Sequence, residues 1–153
     1  MFYSENEYTL KAYGETLGTY LSIGDVIVLS GDLGAGKTTL AKGIAKGMEI
    51  SQMIKSPTYT IVREYEGRLP LYHLDIYRVG DDPDSIDLDD FLFGNGVTVI
   101  EWGELLGEGL LQDHLQITIT KRDKGRQLDL LAHGERSRQL LEIMSHDSAK
   151  SRY

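Results

Sequence analysis

The chain has 153 residues, with 24 acidic against 16 basic side chains, a formal net charge of −8 and no cysteine. That length supports one domain with a real core. The acidic balance argues against a domain that grips DNA or RNA through a basic face of its own, and the lack of cysteine excludes disulfides, thiolate zinc sites and thiol nucleophiles. Residues Met1 to Glu7 show neither a basic n-region nor an apolar h-region, and no apolar run reaches membrane-spanning length. The expectation is a cytoplasmic protein with no membrane segment.

In chain order, Ser4-Glu5-Asn6-Glu7 fits a capping box with Ser4 at the N-cap and Glu7 at N3. Tyr8, Leu10, Ala12, Leu17, Tyr20 and Leu21 then suit an amphipathic helix ending before Gly24. Asp25 to Ser30 reads as a strand apolar on both faces, as a covered parallel strand is. Residues 37–47 read as a helix stopping near Gly47. Ser56-Pro57-Thr58-Tyr59-Thr60 breaks the chain before Ile61–Tyr65, and Gly67 turns that strand into Leu69–Asp75 as a hairpin. Pro83 to Phe93 suits a short helix with proline in its first turn. Val97 to Trp102 is a further buried strand, followed by a helical stretch to Leu111. Leu115–Thr120 and Leu128–Leu131 flank the polar turn Lys121–Gly125, and Glu135–Met144 closes the domain. The single domain is expected over 1–145, with a polar, frayed tail over 146–153. Alternating strands and helices imply an α/β, three-layer P-loop fold, parallel at its centre with antiparallel flanking strands.

The most specific stretch is Gly31-Asp32-Leu33-Gly34-Ala35-Gly36-Lys37-Thr38, a full match to G-x-x-x-x-G-K-[ST] between a strand and a helix. Glycines let backbone N–H groups of Asp32 to Thr39 turn toward phosphate oxygens, and the helix N-terminus adds positive potential there. Lys37 suits the β and γ phosphates, and the Thr38 hydroxyl suits Mg²⁺.

A phosphate loop needs a carboxylate for its metal. Asp75 ends the run Leu71-Tyr72-His73-Leu74-Asp75 in the manner of a Walker B strand, and Glu101 ends Val97–Ile100 in the same way. Each could instead be a strand-end cap or a paired core acid. His73 reads as a packed, hydrogen-bonded histidine. Arg78 is expected to pair locally. Trp102, the only tryptophan, is by default a core residue, with the rim of the nucleotide pocket as the other reading. Ser56 to Tyr59 stands where switch loops of P-loop proteins sense the γ-phosphate, although a plain Ser-Pro turn fits equally. Thr120-Lys121-Arg122-Asp123 is similar to a guanine-reading element but falls in a hairpin and lacks the companion D-x-x-G after Asp75.

Together the glycine loop with Thr39, Ser56-Pro57-Thr58-Tyr59, His73-Leu74-Asp75-Ile76-Tyr77-Arg78 and Glu101-Trp102 resemble the TsaE family, small bacterial ATPases of tRNA threonylcarbamoyladenosine biosynthesis. The resemblance covers most of residues 4–140. It implies ATP and Mg²⁺ as cofactors and the TsaB and TsaD proteins as partners. Contact with tRNA would run through that complex, with no role for DNA. It further implies that Lys37 and Thr38 hold phosphate and metal, that Asp75 is the Walker B acid and that Glu101 is a metal or water ligand. Trp102 would lie near the nucleotide, Ser56 to Tyr59 would form a switch-like loop, and Thr9 would approach the adenine end. The alternatives are a small-molecule or nucleotide kinase, disfavoured because no Arg-rich lid insertion is visible, and a non-enzymatic nucleotide switch.

Overall fold

The computed structural model describes residues 2–31, 35–51, 62–75, 96–101, 113–123 and 125–150. Asp32 to Gly34, Ser56 to Tyr59, Arg78, the helix expected over 83–93, Trp102 and the stretch to Leu111 lie outside them.

The first element is a strand, β1 (Phe2–Ser4), followed by α1 (Glu7–Tyr20). The helix is capped by Asn6, two residues later than expected. Asn6 Oδ1 accepts from Thr9 N at 2.8 Å, and Asn6 N donates to Thr9 Oγ1 at 3.3 Å, so Thr9 rather than Glu7 is the reciprocal N3 residue. Ser4 is drawn into β1 instead, where it pairs with Arg126.

The inward face of α1 also differs from expectation. Leu10, Tyr13, Leu17 and the glycines 14 and 18 are buried, whereas Tyr8 is 81% exposed. The glycines explain the choice of face. A Cβ on Gly14 or Gly18 would meet the carbonyls of Leu40 or Ile44 in α2 (Lys37–Gly47). One on Gly43 or Gly47 of α2 would meet the carbonyls of Lys11 or Glu15, each closer than side chains pack. Four glycines thus let two helices approach backbone to backbone, and the larger Tyr8 and Tyr20 are left outside.

Seven strands form one mixed sheet in the order β1-β7-β6-β2-β5-β4-β3. The others are β2 (Val26–Gly31), β3 (Val62–Tyr65), β4 (Leu71–Asp75), β5 (Val97–Glu101), β6 (His114–Arg122) and β7 (Gly125–His133). β6, β2, β5 and β4 run parallel, while β3, β7 and β1 add antiparallel flanks. The expected parallel centre with antiparallel edges is what forms. The β6–β7 hairpin is longer than its apolar stretches suggested because both strands continue through polar residues to a tight turn, with Asp123 at φ 43°. The closing helix, α3 (Glu135–Lys150), likewise runs past Met144.

One face of the sheet carries Ile27, Leu29, Val97, Val99, Leu115, Ile117, Ile119 and Leu128, which share a core with Leu10, Leu17, Leu40, Ile44, Leu140 and Met144 from the three described helices. Each fully buried leucine or isoleucine contributes about 1.5–3 kcal/mol of transfer free energy. On the alternate positions Val28, Leu74, Thr98 and Ile100 are buried as well, so both faces are covered, as central parallel strands require. Arginines tie the layers together. Arg136 of α3 bonds Asp25 Oδ1 at 3.0 Å and the Tyr20 carbonyl at 2.9 Å, and Arg68 donates to the carbonyls of Gly18 and Leu21. No helix among the described residues is long and apolar enough to cross a membrane.

Candidate nucleotide site

Parallel strands bring their carboxyl ends to one edge of the sheet, and the site is built there. β2 ends at Gly31, whose φ of 141° is open only to glycine, and a Cβ there would meet the Ile119 carbonyl on β6. Gly36, at φ 118°, is the N-cap of α2 and offers no side chain to the first turn, which contains no acidic residue. The N-terminal N–H groups and the helix dipole are therefore directed at whatever lies over the loop, the arrangement that suits an anion.

Lys37 is the first residue of α2 and is 5% exposed. Its Nζ donates to the Gly31 carbonyl at 2.6 Å, so the ammonium is folded back across the loop it terminates. Thr38 follows in the same turn. Thr39 Oγ1 donates to Glu7 Oε1 at 3.4 Å, which brings the start of α1 against the start of α2. Thr9, two residues on in the same turn, bonds Ser4 Oγ through its Oγ1 at 2.7 Å.

Register places the two acids. Leu29 of β2 is opposite Glu101 of β5, and Glu101 is opposite Asp75 of β4. Asp75 and Glu101 thus end neighbouring strands beside the start of the loop. Glu101 is only 4% exposed, and its Oε2 is 2.6 Å from Nε2 of His73, itself 1% exposed. That is a short bond of the charge-assisted kind between two buried side chains. His73 Nδ1 has no hydrogen-bond partner among the described residues. The expectation of a packed, hydrogen-bonded histidine holds, and its partner is the candidate catalytic acid.

The structure therefore gathers Ala35, Gly36, Lys37, Thr38, Thr39, Glu101 and the backbone of Asp75 at one edge, with Thr9 on the adjoining helix start. One residue was not anticipated. Arg126, at the start of β7, donates Nε to the Ala35 carbonyl at 2.8 Å. The two residues are 91 positions apart, and nothing in the local pattern of a hairpin strand announces such a contact.

A glycine loop joining a central parallel strand to a helix, with a lysine folded over it and acids at neighbouring strand ends, defines the class of P-loop nucleotide-binding folds. A family model described as threonylcarbamoyl adenosine biosynthesis protein TsaE matches residues 4–128. The chain belongs to the TsaE family. It is 44% identical over 141 residues to the tRNA threonylcarbamoyladenosine biosynthesis protein TsaE of Bacillus subtilis, covering 90% of this chain and 89% of that one. It is 45% identical over 120 residues to the TsaE protein of Mycobacterium tuberculosis strain H37Rv, covering 71% of each. Among solved structures, the crystal structure of YdiB from Bacillus subtilis superposes with a TM-score of 0.84 at 38% identity, covering 95% of this chain and 93% of that one.

Proposed function

We propose that this chain is the ATP-binding and hydrolysing accessory subunit of its tRNA-modifying system. It acts in the cytoplasm on a TsaB–TsaD complex that threonylcarbamoylates adenosine 37 of tRNAs reading codons that begin with A. Membership of the family supports the biosynthetic role. The observation that carries the nucleotide chemistry is the Lys37 ammonium lying across the glycine loop at an uncapped helix N-terminus.

In this reading Lys37 and the loop amides from Asp32 to Thr39 hold the phosphates. Mg²⁺ fits the donor set. It favours one or two protein oxygens beside phosphate oxygens and water, and Thr38 offers a hydroxyl while Asp75 and Glu101 offer carboxylates. When bound, the cation offsets charge on the β and γ phosphates. Glu101, held by His73 through Oε2, keeps Oε1 for the metal or for orienting water. Thr9 and Trp102 serve the nucleoside end, and Ser56, Pro57, Thr58 and Tyr59 form the loop that senses the γ-phosphate. With a buried acid and few charges to develop the attacking water, turnover by the isolated chain is slow, and the partner complex raises it.

The test is ATP hydrolysis by the purified chain, with and without TsaB–TsaD. Weak activity stimulated by the complex and abolished in Lys37→Ala, with the fold retained, is the expected result. Full turnover with no partner, passing phosphate to a metabolite or nucleoside, would instead identify a kinase.

A further inference from the structure

Arg126 enters no part of the chemistry described so far, yet it touches the phosphate loop. It stands opposite Ser4 of β1 and Lys121 of β6 in the sheet and is half-buried. The packing beneath it is tight. Gly125 is buried, with no room for a Cβ beside the Ser4 carbonyl and the Tyr3 hydroxyl, and Ser4 itself is fully buried with its Oγ donating to the Asn6 carbonyl at 2.7 Å. The arginine stem is thereby aimed at the loop rather than left to sample solvent.

Its two hydrogen bonds both end on neutral carbonyls. Nε donates to Ala35 O, and Nη1 donates to Gly125 O, each at 2.8 Å. Among the described residues no carboxylate lies within ion-pair distance, and no described group takes Nη2. This is unusual in a chain that carries eight more acids than bases. By contrast, the comparably enclosed Arg136 is matched by Asp25 at 3.0 Å. A partly desolvated guanidinium without a counter-charge is costly to keep unless an anion arrives. Ala35 O belongs to the residue just before Gly36 and Lys37, so the charge is fixed beside the site where phosphate oxygens gather.

We propose that Arg126 is a nucleotide-binding residue of this chain, bracing the phosphate loop through Ala35 and supplying a fixed positive charge to the bound polyphosphate. A guanidinium is suited to both at once, since its planar fork can bond the carbonyl with one edge and an anionic oxygen with another. The inference rests on the nucleotide-binding reading above, so the experiment must separate the two.

The experiment is titration of the full chain with a fluorescent ATP analogue and Mg²⁺ across a range of potassium chloride, with thermal unfolding in parallel. Wild type, Lys37→Ala, Arg126→Gln and Arg126→Lys are compared. Arg126→Gln is expected to weaken binding about tenfold, the scale of one charge-assisted contact, and to flatten its salt dependence. Arg126→Lys, which keeps the charge but not the fork, is expected to recover at least half of that loss on a logarithmic scale. If Arg126→Gln binds like wild type while Lys37→Ala does not bind, the proposal is overturned. It is equally overturned if Arg126→Lys binds no better than Arg126→Gln. If wild type itself does not bind, the nucleotide reading fails instead. Should the glutamine variant melt far below wild type, Arg126→Met, which keeps most of the stem without the charge, is read in its place, and affinity equal to wild type there overturns the charge role.

Discussion

Replacing His73 by leucine isolates the contact at the centre of the candidate site. Glu101 is 4% exposed, and the one bond described for its carboxylate is the 2.6 Å contact with His73 Nε2. Leucine fills most of the same volume, so little cavity forms and the change is mainly the loss of a partner. Leaving a buried polar group unsatisfied costs about 1–3 kcal/mol, and breaking a buried ion pair costs about 3–5. The leucine also removes Nδ1, which is buried and has no partner among the described residues, and this offsets part of the loss. A net destabilisation of about 2–3 kcal/mol follows. For a chain of this size that lowers the unfolding midpoint by roughly 5–10 °C. Urea unfolding of the wild type, the two single variants His73→Leu and Glu101→Leu, and the double variant forms a cycle in which the double change should cost at least about 1 kcal/mol less than the sum. Strict additivity, or a His73→Leu variant within about 0.5 kcal/mol of wild type, would refute the idea that the two side chains stabilise each other.

Gly43→Ala in α2 discriminates between two principles by sign. Helix propensity alone favours alanine by about 1 kcal/mol, whereas the added Cβ would collide with the Lys11 carbonyl, so a fall of about 1–3 kcal/mol in denaturant unfolding is expected from overpacking. Asn6→Ala removes the cap of α1 and should cost about 1 kcal/mol by the same measurement, whereas Glu7→Ala should not. Asp113 sits outside α3 and accepts from the backbone N–H groups of Arg136 at 2.8 Å and Ser137 at 3.0 Å. Burial works to raise its pKa, but hydrogen bonds from the Ser137 side chain and the Arg136 and Ser137 backbone, with His114 nearby, outweigh this and hold it below the ordinary 3.8. A depressed carboxyl stabilises the fold fully above the ordinary aspartate value and loses that contribution as pH falls through the lowered one. The stability gap between wild type and Asp113→Asn, about 1 kcal/mol at neutral pH, should therefore close in acid unfolding experiments below about pH 3 to 4.

Local signals were legible where chemistry and periodicity coincide. The glycine loop needs particular residues at fixed spacing, and α2 starts at Lys37 and ends at Gly47 as the pattern implies. Asp75 and Glu101 could be placed because an apolar run ending in an acid has one natural position in a parallel sheet, and register confirms they are neighbours. The start of α1 is ambiguous in the sequence because Ser4, Asn6, Glu7 and Thr9 can form competing caps, and the decision lies with the pairing of β1 to β7, a partner more than 120 positions away. Tyr8 falls among the apolar positions of the helical pattern because it is large and apolar in part, whereas the face that packs is selected by Gly14 and Gly18 through the space they leave. The His73–Glu101 bond and the Arg126–Ala35 bond share that character. Each joins residues from separate strands, and neither leaves a trace in local composition.

The glycine contacts between α1 and α2 also bear on how a signal could leave the site. Helices separated by side chains can slide by changing rotamers, but two backbones in direct contact have no such slack. Any displacement of Lys37–Gly47 must therefore carry Glu7–Tyr20 along as one lever, and with it the outward row headed by the 81% exposed Tyr8. A label on that tyrosine ring would follow any such movement of Lys37–Gly47.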